Sequence, residues 1–286
     1  MAMFSSPLRY PGGKGRLTQH VIDLIELNDL VGAQYVEPYA GGAGIAISLL
    51  YLEYVDHVHL NDLDPSVHAF WHSALNHTEE FARLVRDTPL TVEEWRKQRT
   101  LQFAKEPVET LALGFSTFYL NRTSRSGIIR GGVIGGNSQT GRWKMDARYN
   151  RADLGKRIEK VASYGSRISL YNQDASELIA TVLPALSKRA LVYLDPPYYQ
   201  RHRLYKATYK HDDHARIASQ VGDIRQKWIV SYDNVEPIRE LYVRYRQHSF
   251  DLRYTAGRSY DGVEVMVYCD ALNIPDEVRP FRGMAA

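Results

Sequence analysis

A single cysteine in 286 residues leaves no partner for an intramolecular disulfide, and a reducing compartment is expected. No run of about 18 apolar residues is present, so no membrane-spanning helix is expected. No charged-then-apolar leader opens the chain, which predicts no secretion signal and a cytoplasmic location. Internal repeats and low-complexity tracts are also missing, so nothing points to a repeat architecture. What is present is a 44% hydrophobic composition and enough length for one cored domain carrying a large insertion.

Net charge is small overall but not locally. The net charge is +3, yet residues 119–167 hold eleven Lys and Arg (Arg122, Arg125, Arg130, Arg142, Lys144, Arg148, Arg151, Lys156, Arg157, Lys160, Arg167) against Asp146, Asp153 and Glu159. That stretch is +8 and the remainder is −5, the imbalance expected of a polyanion-binding surface. Gly127 to Gly141 contains six glycines with Asn137, Ser138, Gln139 and Thr140, and reads as a loop that orders on a partner.

Apolar, β-branched segments at about 35–37, 57–60, 168–171, 191–194, 228–231, 245–250 and 264–269 alternate with helical stretches. This is the pattern of a mostly parallel α/β sheet. Between the second and third segments, Pro65 to Leu120 has helical spacing with breaks at Thr88-Pro89 and Glu106-Pro107. A helical subdomain followed by the basic loop and a basic helix at 150–164 is therefore expected to interrupt the sheet. The boundaries are 1–64 and 166–286 for the sheet domain and 65–165 for the insertion.

The segment Leu191-Val192-Tyr193-Leu194 stops in Asp195-Pro196-Pro197-Tyr198. A carboxylate at the carboxyl edge of such a sheet lies where open α/β folds bind ligands. Pro196 and Pro197 have no N–H, so the backbone offers only carbonyl acceptors in a stiff geometry. Asp195 Oδ and the Pro196 carbonyl can take the two hydrogens of a ring-bound amine while Tyr198 stacks on the ring. A strand ending in a Pro-Pro turn is the plainer reading, so context decides. Upstream, Glu37-Pro38-Tyr39-Ala40-Gly41-Gly42-Ala43-Gly44 reads as a strand end, a turn with little bulk and the start of a helix over 45–51. The glycines are not spaced as a dinucleotide GxGxxG. Next, Asn61-Asp62-Leu63-Asp64 follows a strand. Asp62 is the better candidate to hold a ribose diol, and Asp64 reads as a helix N-cap before Pro65.

These stretches, with Leu8-Arg9-Tyr10-Pro11-Gly12-Gly13-Lys14, Leu120-Asn121-Arg122-Thr123-Ser124-Arg125-Ser126-Gly127 and Ile229 to Asn234, resemble the Dam-type (D12 class) DNA adenine-N6 methyltransferases in the alpha-group motif order. The resemblance covers most of residues 5–270. It implies a Rossmann-like S-adenosylmethionine-dependent methyltransferase fold with an inserted helical target-recognition domain. Its partner would be double-stranded DNA in a bacterial or phage-infected cell, at the nucleoid. Carried over by residue, it implies catalytic roles for Asp195, Pro196, Pro197 and Tyr198. Tyr10, Lys14, Glu37, Tyr39, Gly41, Gly42, Gly44, Asp62, Asp174 and Asp195 would surround the cofactor. Asn121, Arg122, Arg125, Ser126 and Arg130 fall where family members touch DNA. Relatives carry an aromatic at the position of Arg125, so the recognition sequence, GATC or other, stays open.

Alternatives remain at several positions. Asp174 reads equally as an N-cap for a helix over 175–181. Arg201, Arg203, Lys206 and Lys210, interleaved with Tyr205 and Tyr209, form either a strand clamp or a surface loop. His211-Asp212-Asp213-His214 reads as an exposed polar cap; no metal is expected, since a sulfonium donor is already cationic. Cys269, in a β-like run, reads as packing, which argues against cytosine-C5 chemistry. Cytosine N4, adenine in RNA, and a non-catalytic DNA-binding relative remain the competing readings. The assignment requires the Asp195 carboxylate to face the glycine-lined crevice rather than be consumed in an internal ion pair.

Overall fold

The computed structural model describes residues 6–9, 14–199, 209–254 and 260–276, with the side chains of 252–254, 260 and 261 left aside. Tyr10, Arg201, Arg203, Tyr205 and Lys206 lie outside the described residues. In chain order the elements are α1 (Thr18–Leu27), β1 (Ala33–Glu37), α2 (Gly44–Tyr51), β2 (Val55–Asn61) and then α3 (Pro65–Asn76), α4 (Thr78–Asp87), α5 (Val92–Gln102), α6 (Thr110–Thr123) and α7 (Arg151–Ala162). There follow β3 (Ile168–Tyr171), α8 (Ala175–Thr181), β4 (Ala190–Leu194), α9 (His211–Val221), β5 (Lys227–Asp233), α10 (Glu236–Leu241), β6 (Arg246–Tyr254) and β7 (Tyr260–Tyr268).

The strands form one sheet in the order β3-β2-β1-β4-β5-β7-β6. Strands β1 to β5 pair in parallel, while β7 runs antiparallel between β5 and β6. All five residues of β4 are buried, as the continuous apolar run Ala190–Leu194 requires of a strand covered on both faces. Chain order reverses between β1 and β4. Their carboxyl ends, Glu37 and Leu194, therefore open a crevice at a topological switch point, where α/β sheets bind ligands. This is the Rossmann-like methyltransferase architecture that the motif order implied.

Helix starts follow from local chemistry. Asp64 Oδ1 accepts from Ser66 N at 2.9 Å with Pro65 in the first turn, and Asp174 Oδ1 accepts from Ser176 N at 2.8 Å. In the insertion α3 packs on α6 and α4 on α7. Gly114 permits the first contact, since a Cβ there would lie 2.5 Å from the Ala69 carbonyl oxygen. Phe70, Phe81, Phe115, Phe118 and Tyr149 fill the interior between these helices. The same apolar cluster includes Val58 and Val192 of the sheet. The helical stretch breaks near Thr88-Pro89 and Glu106-Pro107 as expected and also at His77, between α3 and α4, which the sequence did not signal; the insertion shares its core with the sheet.

Candidate active site

The crevice is built from the ends of β1, β2, β4 and β5. Buried Asn61, at the end of β2, joins three of the loops there: its Nδ2 donates to the Pro38 carbonyl at 2.9 Å and to the Gln173 carbonyl at 3.0 Å, and its Oδ1 accepts from Gln173 N at 3.1 Å. After β1 the chain turns through Gly41 (φ +47°) and Ala43 (φ +46°) before entering α2 at Gly44. A Cβ on Gly44 would stand 3.8 Å from Gly15, so the turn packs against the segment that carries Lys14. Trp71 of α3 donates to the Gly41 carbonyl at 2.9 Å and fixes the turn from the insertion side.

Two carboxylates border this turn. Asp62 Oδ2 accepts from Gly41 N and Oδ1 from Asp64 N, both at 2.9 Å. Burial pushes its pKa up to about 6 against the pull of those two hydrogen bonds. Each oxygen keeps a further lone pair for a hydroxyl. Glu37, 4% exposed, accepts from Ala46 N at 3.1 Å, and burial pushes it up to about 8, with the charge of Asp195 acting in the same direction. Tyr39 OH meets Tyr209 OH at 3.2 Å beside the rings of Tyr199 and His214. Asp174 serves as the N-cap of α8, the plainer of its two sequence readings.

At the end of β4, Asp195 is held by one oxygen. Lys14 Nζ lies 3.2 Å from Oδ1, and Ser231 Oγ donates to the same atom at 2.8 Å. Among the described residues no hydrogen bond reaches Oδ2, and 22% of the side chain is exposed. The internal ion pair that would defeat the assignment is thus present but occupies only half of the carboxylate. Burial, reinforced by Glu264, raises the Asp195 pKa, while Lys14 and Ser231 oppose it. Lys14 also donates to Glu264 Oε2 and to Ser231 Oγ (3.2 Å). Burial opposes its charge, but Asp195 and Glu264 outweigh that and raise its pKa.

Tyr198 differs from expectation. It is 3% exposed, its hydroxyl donates to Glu264 Oε1, and Lys14 Nζ sits 5.3 Å from its ring centroid. It is an immobilised wall rather than an open stacking platform. Pro196 is buried and Pro197 partly so.

The expected DNA contacts divide. Asn121, 3% exposed, accepts from Arg9 N at 2.7 Å and donates to the Gly127 carbonyl at 2.9 Å. Arg122, 8% exposed, spends Nε and Nη2 on the Pro7 carbonyl; burial, then Arg157 and Arg9, lower its pKa to about 9. Both are internal fasteners, which corrects their assignment as surface contacts. Arg125 and Arg130 are exposed, with Arg130 over the Phe103 ring at 5.3 Å and Ser126 between them at φ +59°. The glycine-rich loop is not loose either. It bridges Ser124 to Val133, and Gln139 ties Ile134 to buried Met145. His214 is wholly buried against Tyr232 OH at 3.0 Å, not an exposed cap. Cys269 Sγ accepts from Trp228 N in the core, as packing requires.

Sequence reasoning missed Glu264, Tyr193, Asn61 and Trp71 as parts of the site. The usable signal for Glu264 was a lone acid in the apolar run Val263-Glu264-Val265-Met266-Val267. An acidic crevice with a backbone-lined turn and a carboxylate in reach of a diol fits a cationic nucleoside such as S-adenosylmethionine.

Among solved structures the chain resembles a candidate RNA methyltransferase from Pyrococcus horikoshii, at 9% identity and TM-score 0.44 over 88% of this chain and 82% of that one. It also resembles TrmN from Thermus thermophilus, at 12% identity and TM-score 0.37 over 88% of this chain and 47% of that one. At these values neither likeness bears on the substrate. No curated protein matches the chain significantly. The family model of the D12 class N6 adenine-specific DNA methyltransferases matches residues 10–256. The chain belongs to that family of DNA-methylating enzymes, whose fold and chemistry imply S-adenosylmethionine as the methyl donor.

Proposed function

We propose that the protein transfers a methyl group to the exocyclic N6 of an adenine rotated out of double-stranded DNA. The observation that carries this reading is Asp195 at the switch point, with Oδ1 fixed by Lys14 and Ser231 and Oδ2 left to accept from an amine. A stacked base cannot bring N6 into such a crevice, so extrusion is required, at a cost of a few kcal/mol. Asp195 Oδ2 and the Pro196 carbonyl take the two N6 hydrogens and direct the nitrogen lone pair toward the methyl donor. Tyr198 bounds the pocket. S-adenosylmethionine, when bound, would supply a methyl on a cationic sulfur: the N–C bond would form as the S–C bond breaks, the neutral thioether would leave, and the methylated nitrogen would give up one of its two hydrogens as a proton to water.

Glu37, Gly41, Gly42, Gly44 and Asp62 are proposed to surround that donor, with Asp62 on the ribose. Orientation is the main catalytic resource, with reacting atoms held about 3 to 3.5 Å apart. Arg125 and Arg130, exposed on the loop after α6, are proposed to meet DNA. Digestion of modified DNA to nucleosides tests the reading: N6-methyladenine is expected, and N4-methylcytosine in its place refutes it. Asp195→Ala is expected to abolish transfer while cofactor affinity stays within about tenfold. A near-normal rate in that variant ends the assignment.

A further inference from the structure

Glu264 contributes no atom to the glycine turn or to the Asp-Pro-Pro-Tyr segment, yet both of its oxygens are committed to that segment's supports. It lies on β7, opposite Asp233 of β5 and Phe250 of β6 in the sheet register, and its side chain is 1% exposed. A carboxylate buried this completely in an apolar strand costs several kcal/mol unless it is paired. Its partners include Tyr198 OH at Oε1 and Lys14 Nζ at Oε2.

Hydrogen counting fixes the rest. An ammonium has three N–H groups. Those of Lys14 go to Glu264 Oε2, Ser231 Oγ and Asp195 Oδ1. None remains for a substrate atom. Ser231 has one hydrogen, given to Asp195, so Tyr193 OH at 2.8 Å must be the donor to Ser231. The network therefore has a definite direction. Tyr193 and Lys14 feed Ser231, Ser231 and Lys14 feed Asp195 Oδ1, and Lys14 and Tyr198 feed Glu264. Among the described residues, Lys14 is the cation shared between the Asp195 and Glu264 carboxylates.

We propose that Glu264 is the positioning residue of the acceptor pocket: it draws Lys14 partly away from Asp195, leaving that carboxylate enough negative charge to hold the target amine, and it locks the Tyr198 ring. The inference rests on the methyl-transfer reading above. Without the Glu264 charge, Lys14 would be balanced by Asp195 alone, a tighter pair and a weaker amine acceptor. Glutamine at this position is a discriminating substitution. Its oxygen can accept from Lys14 and its NH2 can donate to the Tyr198 hydroxyl, so the contacts survive while the charge is lost.

The test is steady-state and single-turnover methylation of DNA by the full chain, with S-adenosylmethionine affinity measured separately. E264Q is expected to lower kcat by about tenfold or more while cofactor affinity stays within about threefold. Because Glu264 raises the Asp195 pKa, its neutralisation is also expected to move the acid limb of the kcat profile to lower pH. A merely structural role would lower kcat without that displacement. E264D keeps the charge on a shorter stem; its acid limb is expected at the wild-type position despite a reduced rate, and it carries the test if E264Q does not fold. An E264Q rate within about twofold of wild type, an unmoved acid limb, or a fully active E264D overturns the proposal. A wild-type protein unable to methylate DNA refutes the underlying reading instead.

Discussion

Replacing Lys14 by methionine removes the ammonium that bridges Asp195 and Glu264 while keeping most of its length. Lys14, Asp195 and Glu264 side chains are 13%, 22% and 1% exposed, so little water can replace the lost cation. Removing one partner of a buried pair costs about 3–5 kcal/mol, because the charge left behind stays desolvated. Asp195 retains some exposure and can rehydrate in part, which places the expected loss near the lower end, about 3 kcal/mol.

The pH dependence separates this cause from ordinary misfitting. Burial already raises the Asp195 pKa, and Lys14 is the main influence holding it down, so its removal raises the folded-state value further. A folded pKa above the unfolded value of roughly 3.9 penalises the native state as pH rises between the two, and the penalty disappears below both. A 3 kcal/mol deficit corresponds to about two pH units of further elevation, at about 1.4 kcal/mol per unit. Urea unfolding of wild type and K14M at pH 8, 6.5 and 5 should show a deficit that is largest at pH 8 and shrinks toward pH 5. A deficit that is constant with pH, or under about 1 kcal/mol at pH 8, refutes the reasoning.

Gly114→Ala gains up to about 1 kcal/mol of helix propensity but drives a methyl to 2.5 Å from the Ala69 carbonyl oxygen of α3, a backbone atom that cannot swing aside. Overpacking of about 1–3 kcal/mol should win, and a variant with an unchanged or higher unfolding midpoint in urea would contradict the close α3–α6 approach. Glu37, with its pKa pushed to about 8 by burial, is neutral in most molecules at pH 7. Its folded pKa exceeds the unfolded value, so it weakens the fold as pH climbs from roughly 4.3 through 8. In cofactor-free protein the Tm advantage of E37Q over wild type should therefore be small at pH 5 and much larger at pH 9; an equal difference at both is the contrary result. Arg130→Ala should weaken DNA binding and reduce the salt slope by about one without changing Tm, whereas Asn121→Ala should cost about 1–3 kcal/mol of stability. Opposite results would exchange the surface and internal roles given to these two residues.

How much of this was legible in the sequence depends on which atoms do the work. Strand positions were readable because each of the seven apolar segments has to pair somewhere, and segments such as Leu191-Val192-Tyr193-Leu194 can be satisfied only inside a covered sheet. The turn after β1 was readable because closely spaced glycines between a strand and a helix have few other uses. Asn121 and Arg122 were misplaced because a polar side chain in a motif looks the same whether it faces solvent or fastens a backbone carbonyl. Only tertiary contact with Pro7, Arg9 and Gly127 decides between the two.

Glu264 shows the same limit from the other side. Its partners sit 66 and 250 residues away, brought together by an antiparallel strand inserted beside β5. The acid in an apolar run announces that some buried cation or donor exists, since an unpaired carboxylate there would be untenable. It does not say which one. Supplying that identity is what the position of β7 does: it sets a carboxylate on the same sheet face as Ser231, where it reaches both the Lys14 ammonium and the Tyr198 hydroxyl. The strand that departs from the parallel pattern is thus the one that couples the amino-terminal lysine to the acceptor carboxylate.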